Sequence, residues 1–305
     1  IFCFCSRLLI FFDKSILYEH PILLNIFAEP PKILAIIPLI ITKIRTNKVN
    51  KNKTKNINNF LNVNDKIMKG KWIYITLSII IYFIQSCIIA VSISLKSFLY
   101  VWNILITSIF CHFIFKIKLH RHHYLSMIII ILTEIILDLI SENIQNDIKN
   151  NLFYVLLRLI NEILLSLNNV IYKYLFERKF VNIYEITLYY GFGLTLLFAI
   201  FLVFDYYFFK LDNYEEYFNN FNFREMLVII GVIITQFGLN LSILFTNKNN
   251  TPCHIFIIYV FGHLAYYLDF SSHSIVIIIC IIFIIFMSLI FNEIIEINCF
   301  GLSRN

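Results

Sequence analysis

Arg158, Asn161, Glu162, Ser166, Asn169, Tyr172 and Lys173 interrupt an otherwise apolar stretch at 156–180, LLRLINEILLSLNNVIYKYLFERKF. Their steps of three and four place them in one stripe on a helix, with Leu, Ile, Val and Phe on the other face. Cations, a carboxylate, amides and hydroxyls in such a stripe recognise charge and hydrogen-bonding groups, an anion above all. GxSxG, HExxH, Walker-loop and DxD patterns are absent from the sequence, which argues against the commoner hydrolase, protease and ATPase sites. The reading is therefore of a binding or transport protein that is not an enzyme and uses no cofactor or metal.

The stretch is long enough to cross a bilayer, which takes about 20 residues. A charge near the membrane centre costs between about 2.5 and more than 10 kcal/mol. The stripe must then face other helices or a wet cavity. Candidate substrate-binding residues follow from the same reasoning: Lys32, Asn103, Arg158, Glu162, Asn169, Tyr172, Lys173, Gln236, Asn240 and His263. Each has a plainer reading beside it. Arg158 and Glu162, at i,i+4, form either an internal ion pair that lets the helix sit in lipid or a pair whose arginine is shared with substrate. Lys173 is either a snorkelling interface lysine or a phosphate contact at the pathway mouth. Asn103, Gln236 and Asn240 suit interhelical hydrogen bonds as well as sugar hydroxyls or base edges. His263 reads as a packing residue or a proton relay. The histidines at 120, 122 and 123 sit in a basic linker with no carboxylate or cysteine at ligand spacing, so they read as loop rather than metal site.

The elements that must position these groups are apolar helices. The 305 residues are 59% hydrophobic and 14% charged, with mean hydropathy +0.78; soluble domains are nearer half apolar and a quarter charged. Membrane-length apolar runs recur near 21–42, 72–95, 97–115, 122–140, 152–176, 184–208, 225–246, 252–268 and 273–296. Residues 1–12 read as the remnant of a further span, truncated at its start, which gives about ten spans in all. Pro30, Pro31 and Pro38 break or kink the 21–42 run, and Glu29 and Lys32 stand there at i,i+3, placed to pair. The Lys- and Asn-rich segment 43–71 reads as a solvated cytoplasmic loop and not as a nucleic-acid-binding patch. With that loop in the cytoplasm, alternation leaves most Lys and Arg on the same side, and the C-terminus with them. The cysteines form no metal or redox pattern and read as small buried hydrophobes.

Residues 94–131, SLKSFLYVWNILITSIFCHFIFKIKLHRHHYLSMIIII, carry FIFKIKL at 113–119; NNVIYKYL stands at 168–175 and NEIIEINCFGL at 292–302. The first resembles the end of the first half of drug/metabolite transporters. The second is similar to the polar sixth helix of their nucleotide-sugar-transporter branch, and the third to the tail of uncharacterised eukaryotic members. The resemblance implies an all-α membrane protein of two inverted five-helix halves, 1–142 and 143–305, with a midplane substrate site and alternating access. It implies that the fifth and tenth helices lie outside the path, in a homodimer contact, and that the membrane is that of the Golgi or ER. Glu134 and Asp138, on one face of the fifth helix, do not suit a simple outer helix. The expected function is secondary transport or antiport of a small anionic metabolite, such as a nucleotide sugar, because Lys32, Arg158 and Lys173 put positive charge inside the bundle. A partner-anchoring membrane scaffold and a membrane-embedded transferase are the competing classes. A scaffold needs no polar groups spread over several spans; a transferase needs a catalytic cluster at a membrane face, which the sequence does not show.

Overall fold

A computed structural model describes residues 27–51, 70–91, 102–116, 120–140, 152–209, 223–255 and 275–291. All regular structure among them is helical. A 3-10 segment, Pro30–Ala35, leads into α1 (Ile36–Lys51); then come α2 (Lys71–Val91), α3 (Trp102–Phe115), α4 (Arg121–Ile140), α5 (Leu152–Arg178), α6 (Ile183–Phe204), α7 (Phe223–Asn249) and α8 (Ile275–Phe291). A π-helical turn, Asp205–Phe209, extends α6. Among the described residues, 71–89, 183–208 and 229–249 form helices long and apolar enough to cross a membrane, and α3 and α8 contain shorter apolar ones. This is consistent with a membrane-embedded protein. From α2 onward the helices begin close to where the apolar runs begin. One difference lies at α1, which continues as helix to Lys51, past the end of its apolar run. Lysine has good helix propensity, so polarity alone does not stop the backbone there.

Residues 1–12, most of the basic segment (52–69), the junction at 143–151, residues 210–222, the segment 256–274 with His263, and residues 292–305 lie outside the described residues. So do the side chains of Arg158, Glu134 and Asp138.

Local chemistry sets several helix ends. Asn182, in an extended conformation, accepts a hydrogen bond from the Tyr184 N–H at 3.1 Å and caps α6, whose first turn carries Glu185. Beyond α5 the chain turns through Phe180, φ 51°, and the Val181 N–H closes onto the Leu175 carbonyl at 3.2 Å. Both leave few terminal backbone groups unpaired.

The chain divides into two compact units, Ile1–Cys87 with Ile171–Lys248, and Ile88–Val170 with Asn249–Asn305. In the first, α6 packs along the 3-10 segment and α1. Ala35, Leu39 and Leu188 are buried together there. The approach is tight at Gly191, where a Cβ would stand 2.8 Å from the Ile33 backbone nitrogen and 3.0 Å from the Lys32 carbonyl carbon. α2 packs on α6 through Ile79 at Gly193 and through Phe83, whose ring meets those of Phe198 and Phe201. Phe27 packs against Ile229 of α7. In the second unit, α8 lies along α4, and α3 meets α4. Ile104, Cys111, Ile130, Val170, Cys253 and Ile284 form the centre of its core. The buried Cys111 and Cys253 behave there as small apolar groups.

Between Phe153 and Asn169, α5 has a polarity opposite to that of a water-soluble helix: the buried side chains described there are Asn161, Glu162, Ser166, Asn168 and Asn169, whereas Phe153, Leu156, Ile160 and Ile163 are exposed. Further on, Val170, Ile171, Tyr172, Leu175 and Phe176 are buried together with Lys173. A helix in lipid turns its apolar face outward and satisfies its polar groups within the protein.

Candidate functional site

Each unit holds a buried polar cluster. In the first, Pro30 and Pro31 stop regular α-helical pairing, because proline offers no N–H, and the chain takes a 3-10 course. That turn sets Glu29 and Lys32 side by side. The Lys32 Nζ donates to both Glu29 carboxylate oxygens, at 2.8 and 2.6 Å. The two side chains are 1% and 2% exposed, so this is an ion pair removed from water. The ammonium also lies 5.1 Å from the centroid of the Tyr82 ring, within reach of a cation–π attraction. Tyr82 in turn meets Tyr190 edge-on at 5.9 Å, and Tyr190 meets Tyr172 at 5.5 Å. The hydroxyls of Tyr190 and Ser78 share a hydrogen bond. The 3-10 segment, α2, α5 and α6 thus bring a charge pair, three phenol rings and a serine to one place.

At the first residue of α2, the Lys71 Nζ pairs with Glu185 at 2.8 Å, tying the starts of α2 and α6 together. The Lys173 Nζ donates to the Lys248 carbonyl at 3.3 Å and pairs with Glu177 at 3.1 Å. α7 ends at Asn249, so this cation sits where unsatisfied carbonyls favour positive charge. Gln236 and Asn240 are half-buried on α7, about one turn apart.

The second unit holds Glu162, wholly buried. The Asn103 side-chain amide donates to one of its carboxylate oxygens. Asn161 donates to the other at 3.3 Å. The Ser166 hydroxyl donates to the Asn103 side-chain carbonyl at 2.8 Å, which fixes the amide's orientation. α3 and α5 are therefore joined by a carboxylate–amide–hydroxyl chain. Asn169 donates to the Leu165 carbonyl of its own helix at 3.1 Å.

The structure thus distributes the candidates over two places. Lys32 and Tyr172 belong to the first cluster, with Lys173 bound at the end of α7. Asn103 and Glu162 belong to the second. Tyr82, Tyr190, Ser78 and Lys71 were not among the sequence candidates. A signal for those on α2 was present: Lys71, Tyr74, Ser78, Tyr82 and Gln85 step by three and four along α2, the same periodicity that marks α5. Tyrosine and serine, being uncharged, do not stand out in an apolar run as Arg158 does.

No family model matches this chain, and no curated protein matches it in sequence. A solved crystal structure is similar to it, with TM-score 0.61 at 12% identity over 96% of this chain and 96% of the other. At that identity the likeness concerns the fold alone.

Proposed function

We propose that the protein is a secondary transporter or antiporter of a small polar, phosphorylated metabolite, of the drug/metabolite-transporter kind, and not an enzyme. The observation that carries this reading is the buried Glu29–Lys32 pair at a proline-broken helix. Ionisable groups inside membrane helices are expensive and are kept for function. Interrupted helices with irregular backbone at such groups are how transporters build substrate sites. An ammonium beside phenol rings and a serine hydroxyl suits a phosphate joined to a sugar or a base, since the rings offer stacking surface and the hydroxyl a hydrogen bond.

About ten spans in two inverted halves is the architecture that goes with this reading. With the apolar run at 21–42 numbered as the second span, α1 and α6 are the second spans of their halves, and α4 and α8 the last. α6 packs on α1, and α8 on α4. Each compact unit also takes matching spans from both halves: α1 and α2 with α6 and α7 in one, α3 and α4 with α8 in the other. A pseudo-two-fold repeat brings counterparts together in this way, and the arrangement supports it.

The test is uptake of a panel of nucleotide sugars and sugar phosphates by the purified protein in liposomes. A transported compound is expected, and Lys32→Gln should abolish its uptake while the protein still assembles. Lys173→Gln should slow it. Arg158→Gln with Glu162→Gln should also impair it; parental rates in that folded double mutant would remove the α5 pair from the substrate path. No uptake of any panel member, by protein shown to be folded, would overturn the assignment.

A further inference from the structure

The Glu29–Lys32 pair sets a condition on any anion that binds there. The Lys32 ammonium is held by both oxygens of one carboxylate, at 2.8 and 2.6 Å. An anion that comes within hydrogen-bonding distance of that ammonium also comes within a few ångströms of Glu29. The carboxylate repels it at short range, in surroundings too dry to screen the repulsion. Lys32 cannot leave Glu29 for the anion without abandoning a buried charge. Glu29 itself has little room to retreat. It sits on the turn before Pro30 and Pro31, and the backbone at Lys32 and Ile33 is pinned against Gly191 of α6.

Resting on the transporter reading, we propose that Glu29 takes up one proton as the anion takes over Lys32, so that anion binding and transport are coupled to proton uptake. The exchange balances. The Lys32–Glu29 ion pair opens and the ammonium pairs with the anion. A proton from the aqueous phase adds to a Glu29 carboxylate oxygen and so offsets one negative charge of the incoming anion. Protonation also reverses the part Glu29 plays: a carboxylate only accepts hydrogen bonds, whereas the acid donates one, and the bound anion is the acceptor at hand.

Among the described residues, the groups around Glu29 leave this role to it. On its own turn the titratable neighbour is Lys32, which must stay charged to hold the anion. α2 presents Tyr82, a phenol that is already neutral and has no charge to give up near neutral pH. α6 presents the Gly191 backbone, with Tyr190 beside Tyr82. α7 approaches the neighbouring Phe27 with Ile229.

The experiment is calorimetric titration of the full chain in lipid nanodiscs with UDP-glucose and GDP-mannose, whose diphosphates carry no titrating group near neutral pH. Repeating each titration in buffers of different ionisation enthalpy counts the protons taken up. The expected result is about one proton per bound probe, with affinity falling about tenfold per pH unit on the alkaline side. Lys32→Gln should lose binding. Glu29→Gln should bind with no proton uptake and a flat pH profile. Binding without proton uptake by the parent protein overturns the coupling and leaves the substrate class standing. Proton uptake that persists in Glu29→Gln also overturns it. Failure of the parent to bind either probe overturns the coupling together with the nucleotide-sugar class. Should Glu29→Gln not fold, the proton count of the parent protein decides alone.

Discussion

Asn103 shows how one amide can hold a buried carboxylate in an apolar bundle. It donates to Glu162 and accepts from Ser166, so each of its polar ends is used across the α3–α5 contact. Asn103→Ala removes a donor from the carboxylate and an acceptor from the serine at once. A change of this kind costs about 1–3 kcal/mol when the groups left behind are buried. The expected outcome is a lower thermal midpoint of the detergent-solubilised protein. A double-mutant cycle with Glu162→Gln should give a coupling of at least about 0.5 kcal/mol. Strictly additive effects would mean that the two side chains do not act on each other. Lys173 teaches a related lesson. Its charge is met by the Lys248 carbonyl and by Glu177, so its stem and head also fasten the end of α5 to the end of α7. Loss of transport in Lys173→Gln therefore has to be read alongside the stability of that variant.

At the scale of elements, the seat of the ion pair depends on how closely α6 can approach the 3-10 segment. Gly191 and Gly193 lie two residues apart on α6, yet they face different neighbours. A methyl group at 191 would press on the Ile33 nitrogen and the Lys32 carbonyl carbon, backbone atoms that cannot swing aside. A methyl at 193 would meet the Cδ1 of Ile79 at 2.9 Å, the end of a side chain with other rotamers. Gly191→Ala should therefore destabilise by about 1–3 kcal/mol, the usual range for overpacking, and should displace the Lys32 seat. Gly193→Ala should do clearly less. Thermal midpoints of the two variants in one detergent make the comparison, and equal losses would contradict the close approach described here. Glycine is used sparingly in this chain, with only 7 in all. One of them lies where two backbones meet beside the buried charge.

At the scale of the molecule, orientation follows from where the basic residues fall between the apolar helices. The proposed topology puts residues 43–71 and the C-terminus in the cytoplasm, and 210–222 on the lumenal or outer side. The sequon at Asn52, Lys53 and Thr54 should then remain unmodified in cells. A sequon engineered into 210–222 should acquire glycan. Mobility on a gel before and after deglycosylation reads both. Glycan on Asn52 would reverse the proposed topology.

The sequence by itself determined the class of element and the side of α5 that turns inward. From α2 onward, long apolar runs gave helices that start near the expected residues, and the described part of the α5 stripe, Asn161 to Lys173, is buried because charges and amides on a single helical face cannot be left in lipid. The i,i+3 spacing across Pro30 and Pro31 was enough to pair Glu29 with Lys32, since both partners sit on one turn. What the sequence could not decide was company across helices. Nothing local to Tyr82 or Tyr190 says that their rings meet beside Lys32, 112 residues separate Ser78 from its partner Tyr190, and 59 separate Asn103 from Glu162. Periodicity fixes the direction in which a side chain points from its own axis. Only the packing of one helix on another, set here by features such as the missing Cβ of Gly191, decides what it meets.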